Sequence, residues 1–395
     1  MQSMDMTALS DLPPLCDLDR QDNAPALQAR IDRLAAQGGG VLALPPPRQA
    51  YRSGPLIWRS GVSLMGLNGV AVLRQAPGSR RPLIDLTGVT GCRFERLALH
   101  GLGPAPESWA SALWSGGPCG DLVLRDCRIS DWARHGLSFD GVDGLDVADC
   151  RIEKTHAGGG IVLSRGLQSR NITIRHCRIR RTQFGNIHAW GPVERVLVEG
   201  NHLERSGWRG GSYASGDVAD NITLYGPAEN RDIVIRGNLC AASAENGIHA
   251  AARGLVIEGN ILRQPALYGI VVSHKPYDRP APCGQVVVAG NAIFCPDPGD
   301  PHSRGIGLRN CQGFSVTGNQ IDGAHLGIEV LGMDAPCGAG VIAQNVLTGG
   351  GPWALRIRGL TAPLRVVDNL WQMQALCDGD AAGQAMVQAG QNPRA

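Results

Sequence analysis

Two short segments of the sequence place histidines in the same context, Ile187-His188-Ala189 and Ile248-His249-Ala250. If each segment is a β-strand, the isoleucine and the alanine point inward and the histidine points outward. Aligning the neighbouring segments by this pattern gives one column of outward residues: Ser138, Val162, His188, Thr223, His249, Val271, Gly307, Glu329 and Arg356. Adjacent strands lie about 4.8 Å apart, which predicts that His188 and His249 are roughly 10 Å apart with Thr223 between them.

A second outward column, two residues further along each strand, contains Trp190, Tyr225 and Arg309. We predict His249 as the catalytic proton-transfer residue, with Tyr225 as its partner acid or base and His188 as an alternative base. Trp190 would stack on a sugar ring and Arg309 would bind a carboxylate. The alternatives are an ordinary exposed histidine and a stacked aromatic pair that covers the sheet. Glu329 lies further from the centre and is predicted to be solvated.

Two insertions flank this position. SGWRGGSYASGDVAD precedes the Tyr225 strand, and HKPYDRPAPCG begins at His274. Long loops on a rigid scaffold often contain functional residues. We therefore expect these two to wall a groove and to supply substrate-binding residues: Asp217, Asp220, His274 and Lys275.

Histidine and tyrosine suit proton transfer, and arginine and lysine suit neutralisation of a carboxylate. These residue types favour a lyase or C5-epimerase that removes the proton alpha to a uronate carboxylate. Glycoside hydrolysis needs two suitably spaced carboxyl groups, for which only the loop residues Asp217, Asp220 and Asp278 are available. A non-catalytic glycan-binding or structural protein is the third possibility. No metal site is predicted, although the same aspartates would suit calcium.

The elements that position these residues follow from a repeat. Ten positions share one register and are about 22 to 37 residues apart: Cys127, Cys150, Cys177, Asn201, Asn238, Asn260, Asn291, Asn319, Asn345 and Asn369. A unit of this length cannot bury its apolar face alone, whereas stacked units can. The pattern predicts an all-β fold, a right-handed parallel β-helix with the asparagines stacked in one turn and the cysteines as buried free thiols in the same place.

One amphipathic segment, APALQARIDRLAAQ at 24–37, predicts a helix with Leu27, Ile31 and Leu34 on one face. The stretch from this helix through GGGVLALPPP resembles the N-terminal segment of the pectate-lyase-like superfamily of β-helix proteins, and the resemblance extends over residues 22 to about 370. It implies a helix that caps the first coil. The superfamily includes polysaccharide lyases, epimerases, glycoside hydrolases and phage tailspike depolymerases. Neither the Y-G-x-D-P-H signature of mannuronan epimerases nor the polygalacturonase pattern is present, so no catalytic residue is transferred from a family.

The predicted organisation is an N-terminal tail (1–21), the capping helix and first strands (22–60), the β-helix (61–372) and a C-terminal tail (373–395). The net charge of +2 gives no reason to expect nucleic acid or a membrane as a partner. The expected partner is a polysaccharide or oligosaccharide. The N-terminal sequence lacks the features of a signal peptide, which predicts a cytoplasmic location as written, or a secreted or periplasmic one if a signal was removed.

Overall fold

The computed structural model describes residues 14–105, 108–209, 219–226, 230–274, 283–333, 335–380 and 387–390. The chain forms two compact units, unit 1 (Met1–Gln183) and unit 2 (Phe184–Ala395). Lys275, Asp217 and Asp278, which the sequence analysis selects, lie outside the described residues.

Unit 1 contains three parallel sheets, which we name A, B and C. Sheet A consists of β1 (Gly40–Leu44), β4 (Val62–Gly66), β7 (Thr90–Glu95), β10 (Cys119–Arg125), β13 (Val142–Ala148) and β16 (Ser169–Arg175). Sheet B consists of β2 (Tyr51–Ser53), β5 (Ala71–Gln75), β8 (Leu97–His100), β11 (Arg128–Trp132), β14 (Arg151–Thr155) and β17 (Arg178–Thr182). Sheet C consists of β3 (Leu56–Ile57), β6 (Ile84–Asp85), β9 (Leu113–Trp114), β12 (Leu137–Ser138) and β15 (Ile161–Val162).

Unit 2 has the same three kinds of sheet. Sheet A consists of β19 (Val193–Glu199), β22 (Arg231–Arg236), β25 (Arg253–Glu258), β28 (Cys283–Ala289), β31 (Cys311–Thr317), β34 (Gly340–Ala343), β37 (Leu364–Val367) and β40 (Val387–Ala389). Sheet B consists of β20 (His202–Ser206), β23 (Leu239–Ala241), β26 (Ile261–Arg263), β29 (Ala292–Phe294), β32 (Gln320–Asp322), β35 (Val346–Thr348) and β38 (Leu370–Trp371). Sheet C consists of β18 (Ile187–Ala189), β21 (Ile222–Leu224), β24 (Ile248–Ala250), β27 (Tyr268–Val272), β30 (Arg304–Arg309), β33 (Leu326–Leu331), β36 (Trp353–Arg358) and β39 (Ala375–Gly379).

Within each unit a strand pairs with the strand three positions later in the chain, so one coil contributes one strand to each sheet. Parallel strands joined by such crossovers wind in the right-handed sense. The fold is therefore the predicted right-handed parallel β-helix. Strands β39 and β40 lie within residues 373–395, which the sequence analysis assigns to a tail.

The helix α1 (Ala24–Ala36) packs against β1, β3 and β4 and buries Leu27, Ile31 and Leu34, as the sequence predicts. Gly39 follows with a φ of +109°, and a Cβ there would lie 2.7 Å from the carbonyl oxygen of Gly61. Glycine is therefore required where the chain leaves the helix for β1. No helix in the described part of the chain is long and apolar enough to cross a membrane.

The core consists of inward side chains that stack from coil to coil. In β25, Leu255 and Ile257 are fully buried, whereas Val256 between them is partly exposed. Leu255 is in register with Ile233 in β22 and Val286 in β28. Each coil thus covers the apolar face of its neighbour.

The predicted asparagine ladder lies in the turn between sheets A and B of unit 2. The backbone N and side-chain Nδ2 of Asn260 both donate to Oδ1 of Asn291, at 3.0 and 2.9 Å. Asn291 donates in the same way to Asn319. Seven residues form this hydrogen-bonded series: Asn201, Asn238, Asn260, Asn291, Asn319, Asn345 and Asn369. In the corresponding turn of unit 1, Cys127, Cys150 and Cys177 are buried free cysteines, as expected.

Replacing one ladder residue should strongly destabilise the protein. Asn291→Ala removes the acceptor of two Asn260 donors and leaves the carbonyl oxygen of Ile257 without its side-chain donor. Leaving buried polar groups unsatisfied costs about 1–3 kcal/mol each, so we expect a loss of roughly 2–5 kcal/mol in the free energy of unfolding. Urea unfolding measures the loss, with the exposed Gln320→Ala as control. A change below about 1 kcal/mol would contradict a stabilising ladder.

Candidate functional site

Three adjacent strands of sheet C align the residues that the sequence analysis selects. His188 in β18 is in register with Thr223 in β21, and Thr223 is in register with His249 in β24. The predicted column is therefore correct in unit 2, where it continues through Val271 and Gly307.

The predicted exposure of these residues is wrong. His188 is fully buried, and His249 and Tyr225 are only 3% and 6% exposed. The aromatic rings pack on the imidazoles, and Asp220, Asn246 and Ser273 complete the enclosure through polar contacts. The outward face of sheet C is therefore a second, polar interior at these coils.

His249 lies between an acidic and a hydroxyl side chain. Its Nδ1 is 3.6 Å from Oδ2 of Asp220, and its Nε2 is 2.8 Å from the hydroxyl and 3.1 Å from the carbonyl oxygen of Ser273. The Tyr225 ring packs against the imidazole with a centroid distance of 4.5 Å. Both ring nitrogens therefore have partners, which fixes the orientation of the ring.

Asp220 is a buried carboxylate rather than the loop residue that the sequence analysis expects to bind substrate or calcium. Its Oδ1 accepts from the backbone N and Nδ2 of Asn246 at 2.9 and 2.8 Å, and its Oδ2 accepts from Thr223 at 3.0 Å. Burial raises its pKa, but the interactions with His249 and Asn246 outweigh burial and hold the pKa below its usual value. Asp220 is therefore ionised at neutral pH, and His249 is the basic group beside it.

His188 has no hydrogen-bond partner for either ring nitrogen among the described residues. Burial lowers its pKa to about 3; Asp220 partly offsets this effect, and His249 adds to it. The edge of Trp190 packs on the ring with a centroid distance of 4.1 Å. A buried neutral imidazole with two unpartnered nitrogens is costly, and such groups occur at functional sites.

Trp190 is the outermost of these aromatic side chains, and it is half-buried. It also contacts the ring of Phe184 edge-on, with a centroid distance of 5.9 Å. Within the site, Trp190 therefore contacts His188 and Phe184. Together, the rings of Trp190 and Tyr225 pack against the two histidines.

Arg309 lies in a separate polar cluster. Its Nη2 donates to the hydroxyl of Tyr268 at 3.0 Å, and Tyr268 donates to Glu329 at 2.6 Å. Glu329 is 1% exposed and also contacts Arg304 and Arg356, so the prediction that it is solvated is wrong. In sheet C, the strand of Arg309 (β30) is the second strand after the strand of His249 (β24). Arg309 is therefore roughly 10 Å or more from the histidines.

His274 lies near Tyr225 in the fold but pairs with a thiol. Its Nδ1 contacts the carbonyl oxygen of Gly226 at 2.9 Å. Burial lowers the pKa of His274, but the Cys283 side chain and the Gly226 carbonyl raise it above its ordinary value. The neighbouring Cys311 thiol and His274 together lower the pKa of Cys283 to about 5 despite burial. The buried Cys283 and the half-buried His274 therefore each shift the pKa of the other toward its charged form.

Comparison of this chain with known proteins agrees with the β-helix fold described above. The family description of a right-handed β-helix region matches residues 115–294. The chain is a right-handed parallel β-helix protein. A curated relative, the uncharacterized protein YclG of Bacillus subtilis (strain 168), is 27% identical over 227 residues, which span 51% of this chain and 35% of the relative.

Several solved β-helix structures are similar over nearly the whole chain. The A-module of the mannuronan C-5 epimerase AlgE4 of Azotobacter vinelandii has a TM-score of 0.51 at 14% identity. The similarity covers 94% of this chain and 96% of the epimerase module. The GH87 alpha-1,3-glucanase of Streptomyces thermodiastaticus has a TM-score of 0.59 at 16% identity. The similarity covers 95% of this chain and 66% of the glucanase chain. PfbA, a surface adhesin of Streptococcus pneumoniae, has a TM-score of 0.57 at 14% identity. The similarity covers 94% of this chain and 92% of the adhesin chain. At these identities the similarity establishes the fold alone.

Sequence reasoning missed Ser273, Asn246 and Cys283 in this β-helix. Ser273 follows the pattern of the second column, but a lone serine carries no chemical signal. Asn246 and Cys283 are recognisable only once the coils are folded together. Gly185 also packs against the site. A Cβ at this position would lie only 3.2 to 3.3 Å from atoms of Thr223, Asp220 and His188. No group of three or more metal-binding side chains occurs within the described ranges.

The buried His188 predicts a specific acid sensitivity. An unfolded histidine has a pKa of about 6.5, so between that value and about 3 the folded protein binds fewer protons than the unfolded chain. The free energy of unfolding should therefore fall with decreasing pH, by up to about 1.4 kcal/mol per unit from this group. His188→Gln should flatten the decline between about pH 6 and 4 in urea titrations. An unchanged slope, matching that of the half-exposed control His202→Gln, would show that His188 is not held neutral.

Proposed function

We propose that the protein acts on an acidic polysaccharide or oligosaccharide by proton transfer, as a lyase or C5-epimerase. The observation that carries the proposal is His249, which lies between an ionised carboxylate and a hydroxyl with a tyrosine ring against it. This arrangement holds an imidazole in one orientation and stabilises the cation that forms when the imidazole accepts a proton.

The reaction would begin with removal of the proton alpha to the uronate carboxylate. His249 accepts this proton, and the negative charge of Asp220 stabilises the resulting imidazolium. Tyr225 then supplies a proton, either to the leaving glycosidic oxygen in elimination or to the opposite face of the carbon in epimerisation. His188, held neutral, is the alternative base. Since His249 is only 3% exposed, the proposal requires that the side chains above it move when substrate binds.

The similar solved structures support a carbohydrate substrate without defining its charge or the reaction. They include a mannuronan C-5 epimerase and an alpha-1,3-glucanase, and also an adhesin. Hydrolysis is less well supported because Asp220, which is the only one of the three candidate aspartates within the described ranges, has both oxygens engaged by Asn246, Thr223 and His249. Non-catalytic glycan binding is the remaining alternative, and it predicts binding without turnover.

Substitution of the proton-transfer residues should abolish most of the activity. On polymannuronate or polygalacturonate, His249→Gln and Tyr225→Phe should each reduce kcat on the order of 10²-fold or more. Elimination is followed by the ultraviolet absorbance of the unsaturated uronate, and epimerisation by proton NMR of the polymer. The matched control is His202→Gln on sheet B. Because His249 and Tyr225 are buried, the folding of each variant is checked by circular dichroism, and folded variants with wild-type turnover would overturn the proposal.

A second candidate function follows from the sequence of contacts from Asp220 to His249 to Ser273. The same order of groups, carboxylate, imidazole and hydroxyl, activates serine nucleophiles in ester hydrolysis. The serine oxygen would attack the acyl carbon of a sugar ester, and its proton would pass to His249 and then to the oxygen of the departing sugar. Water, deprotonated by His249, would then cleave the acyl-serine and release the acid, and the proton would return to the serine. The contact of Nε2 with the Ser273 carbonyl oxygen competes with this role, because an Nε2–H donates to that oxygen. Proton transfer on the sugar itself is the first proposal because it also uses the Tyr225 ring that packs against His249.

Ser273→Ala distinguishes the two functions. A nucleophilic serine requires that acetate release from acetylated pectin or alginate fall by about 10³-fold or more in this variant. A proton-transfer site requires that the lyase or epimerase rate fall by no more than about 10-fold, because only one contact of His249 is lost. Acid release by gas chromatography and sugar products by NMR give the two rates on the same samples.

A further inference from the structure

A groove with a volume of about 250 Å³ lies on sheet B of unit 1, across β8, β11, β14 and β17. Its most regular feature is a column of three arginines. Arg128 is in register with Arg151, and Arg151 is in register with Arg178. All three side chains are exposed and line the groove. Their strands are about 4.8 Å apart, so three positive charges repeat along the coil axis at this interval.

Like charges directly opposite each other on neighbouring strands destabilise a sheet. Arg128 and Arg151 form no ion pair with any residue in the described ranges. Asp126 and Asp149, in the turn before these strands, do not pair with them either. The repulsion in the folded protein is therefore not relieved by a carboxylate of unit 1 at these two positions, and an external anion would relieve it.

The remaining polar residues of the groove are already engaged. Glu153 accepts a hydrogen bond from Arg180 at 2.7 Å, so its charge is matched by an arginine outside the column. His100 and Ser130 are hydrogen-bonded to each other at 2.8 Å. Burial and the nearby charge of Arg74 lower the pKa of His100, and Asp131 opposes them. Arg128 and Arg151 therefore leave the groove with two positive charges that no carboxylate in the described ranges pairs with.

We infer that this groove binds a linear acidic glycan, with successive carboxylates on Arg128 and Arg151. The guanidinium group can donate two parallel hydrogen bonds to a carboxylate, and it remains charged at all relevant pH values. The spacing of the strands is comparable with the length of one sugar residue, so a chain of uronates along the coil axis would meet one arginine per residue. No tryptophan, tyrosine or phenylalanine lines the groove, whereas proteins that bind single-stranded nucleic acid use aromatic side chains to stack bases.

This site lies in unit 1, and all the residues of the proposed proton-transfer site lie in unit 2. The inference does not depend on the reaction proposed above. It would give the protein a second contact with an acidic chain, and such contacts raise the effective concentration of the polymer at a catalytic centre.

The test is a binding titration of the full-length protein with a defined oligogalacturonate, using isothermal calorimetry at low ionic strength. Arg128→Gln/Arg151→Gln should weaken binding on the order of 10-fold or more and should reduce the dependence of affinity on salt. The matched control is Arg231→Gln/Arg253→Gln, which removes two exposed arginines that are also in register on neighbouring strands but lie in sheet A of unit 2. This control should bind like the wild type. The titration is repeated in the His249→Gln background, where the effect of the groove substitutions should persist whatever that variant does to turnover.

Three results would overturn the inference. Equal affinity for the carboxyl-reduced, neutral form of the same glycan would exclude recognition of carboxylates. Equal weakening in the control variant would show a general effect of net charge. Tighter binding of single-stranded DNA of the same charge would assign the groove to nucleic acid instead. A separate readout is thermal unfolding at low salt, where the groove variant should unfold at a higher temperature than the wild type because two like charges have been removed.

Discussion

The constraint on which this structure depends is that no coil can bury its own apolar face. Each coil contributes short strands to three sheets, and the inward residues of one coil are covered by the next. The register must therefore be the same at every level, because a shift of one residue would exchange the inward and outward side chains. In unit 2 the asparagine turn enforces this register through two hydrogen bonds between consecutive coils, for example from the backbone N and the side-chain Nδ2 of Asn260 to Oδ1 of Asn291. The uniform register then aligns the outward residues into columns as well.

This constraint explains why so much of the fold was predictable. The spacing of Asn260, Asn291 and Asn319 repeats in the sequence, and the apolar alternation around each of them gives the direction of the neighbouring side chains. The column from His188 through Thr223 to His249 follows from the same register. Helix α1 was predictable because its apolar face and the glycines that end it are local features. Each of these inferences needed only the order of residues within one coil and the identity of the next coil.

The environment of the site was not predictable in the same way. Strand alternation gives the direction of a side chain, but it does not show what lies above the sheet. Asp220 comes from an insertion, and its contacts with Asn246 and His249 arise only when two coils are stacked. The same limit applies to Glu329, whose burial depends on Tyr268 and on arginines from neighbouring strands. Charged residues in outward positions were read as solvated because solvent is the usual neighbour, whereas here other polar side chains replace it.

The polar enclosure around His249 has a consequence for its chemistry. Asp220 is fully buried and ionised, and its Oδ2 lies 3.6 Å from Nδ1 of His249, so its negative charge acts on the imidazole with little screening by solvent. His188, which is deeper and makes no hydrogen bond to Asp220 in the described part of the chain, is held neutral instead. Two histidines on strands of the same sheet, separated by one strand, thus have different surroundings: His249 contacts a carboxylate and a hydroxyl, whereas neither ring nitrogen of His188 has a hydrogen-bond partner in the described part of the chain. This difference is produced by Asp220, a single insertion residue in an otherwise regular repeat.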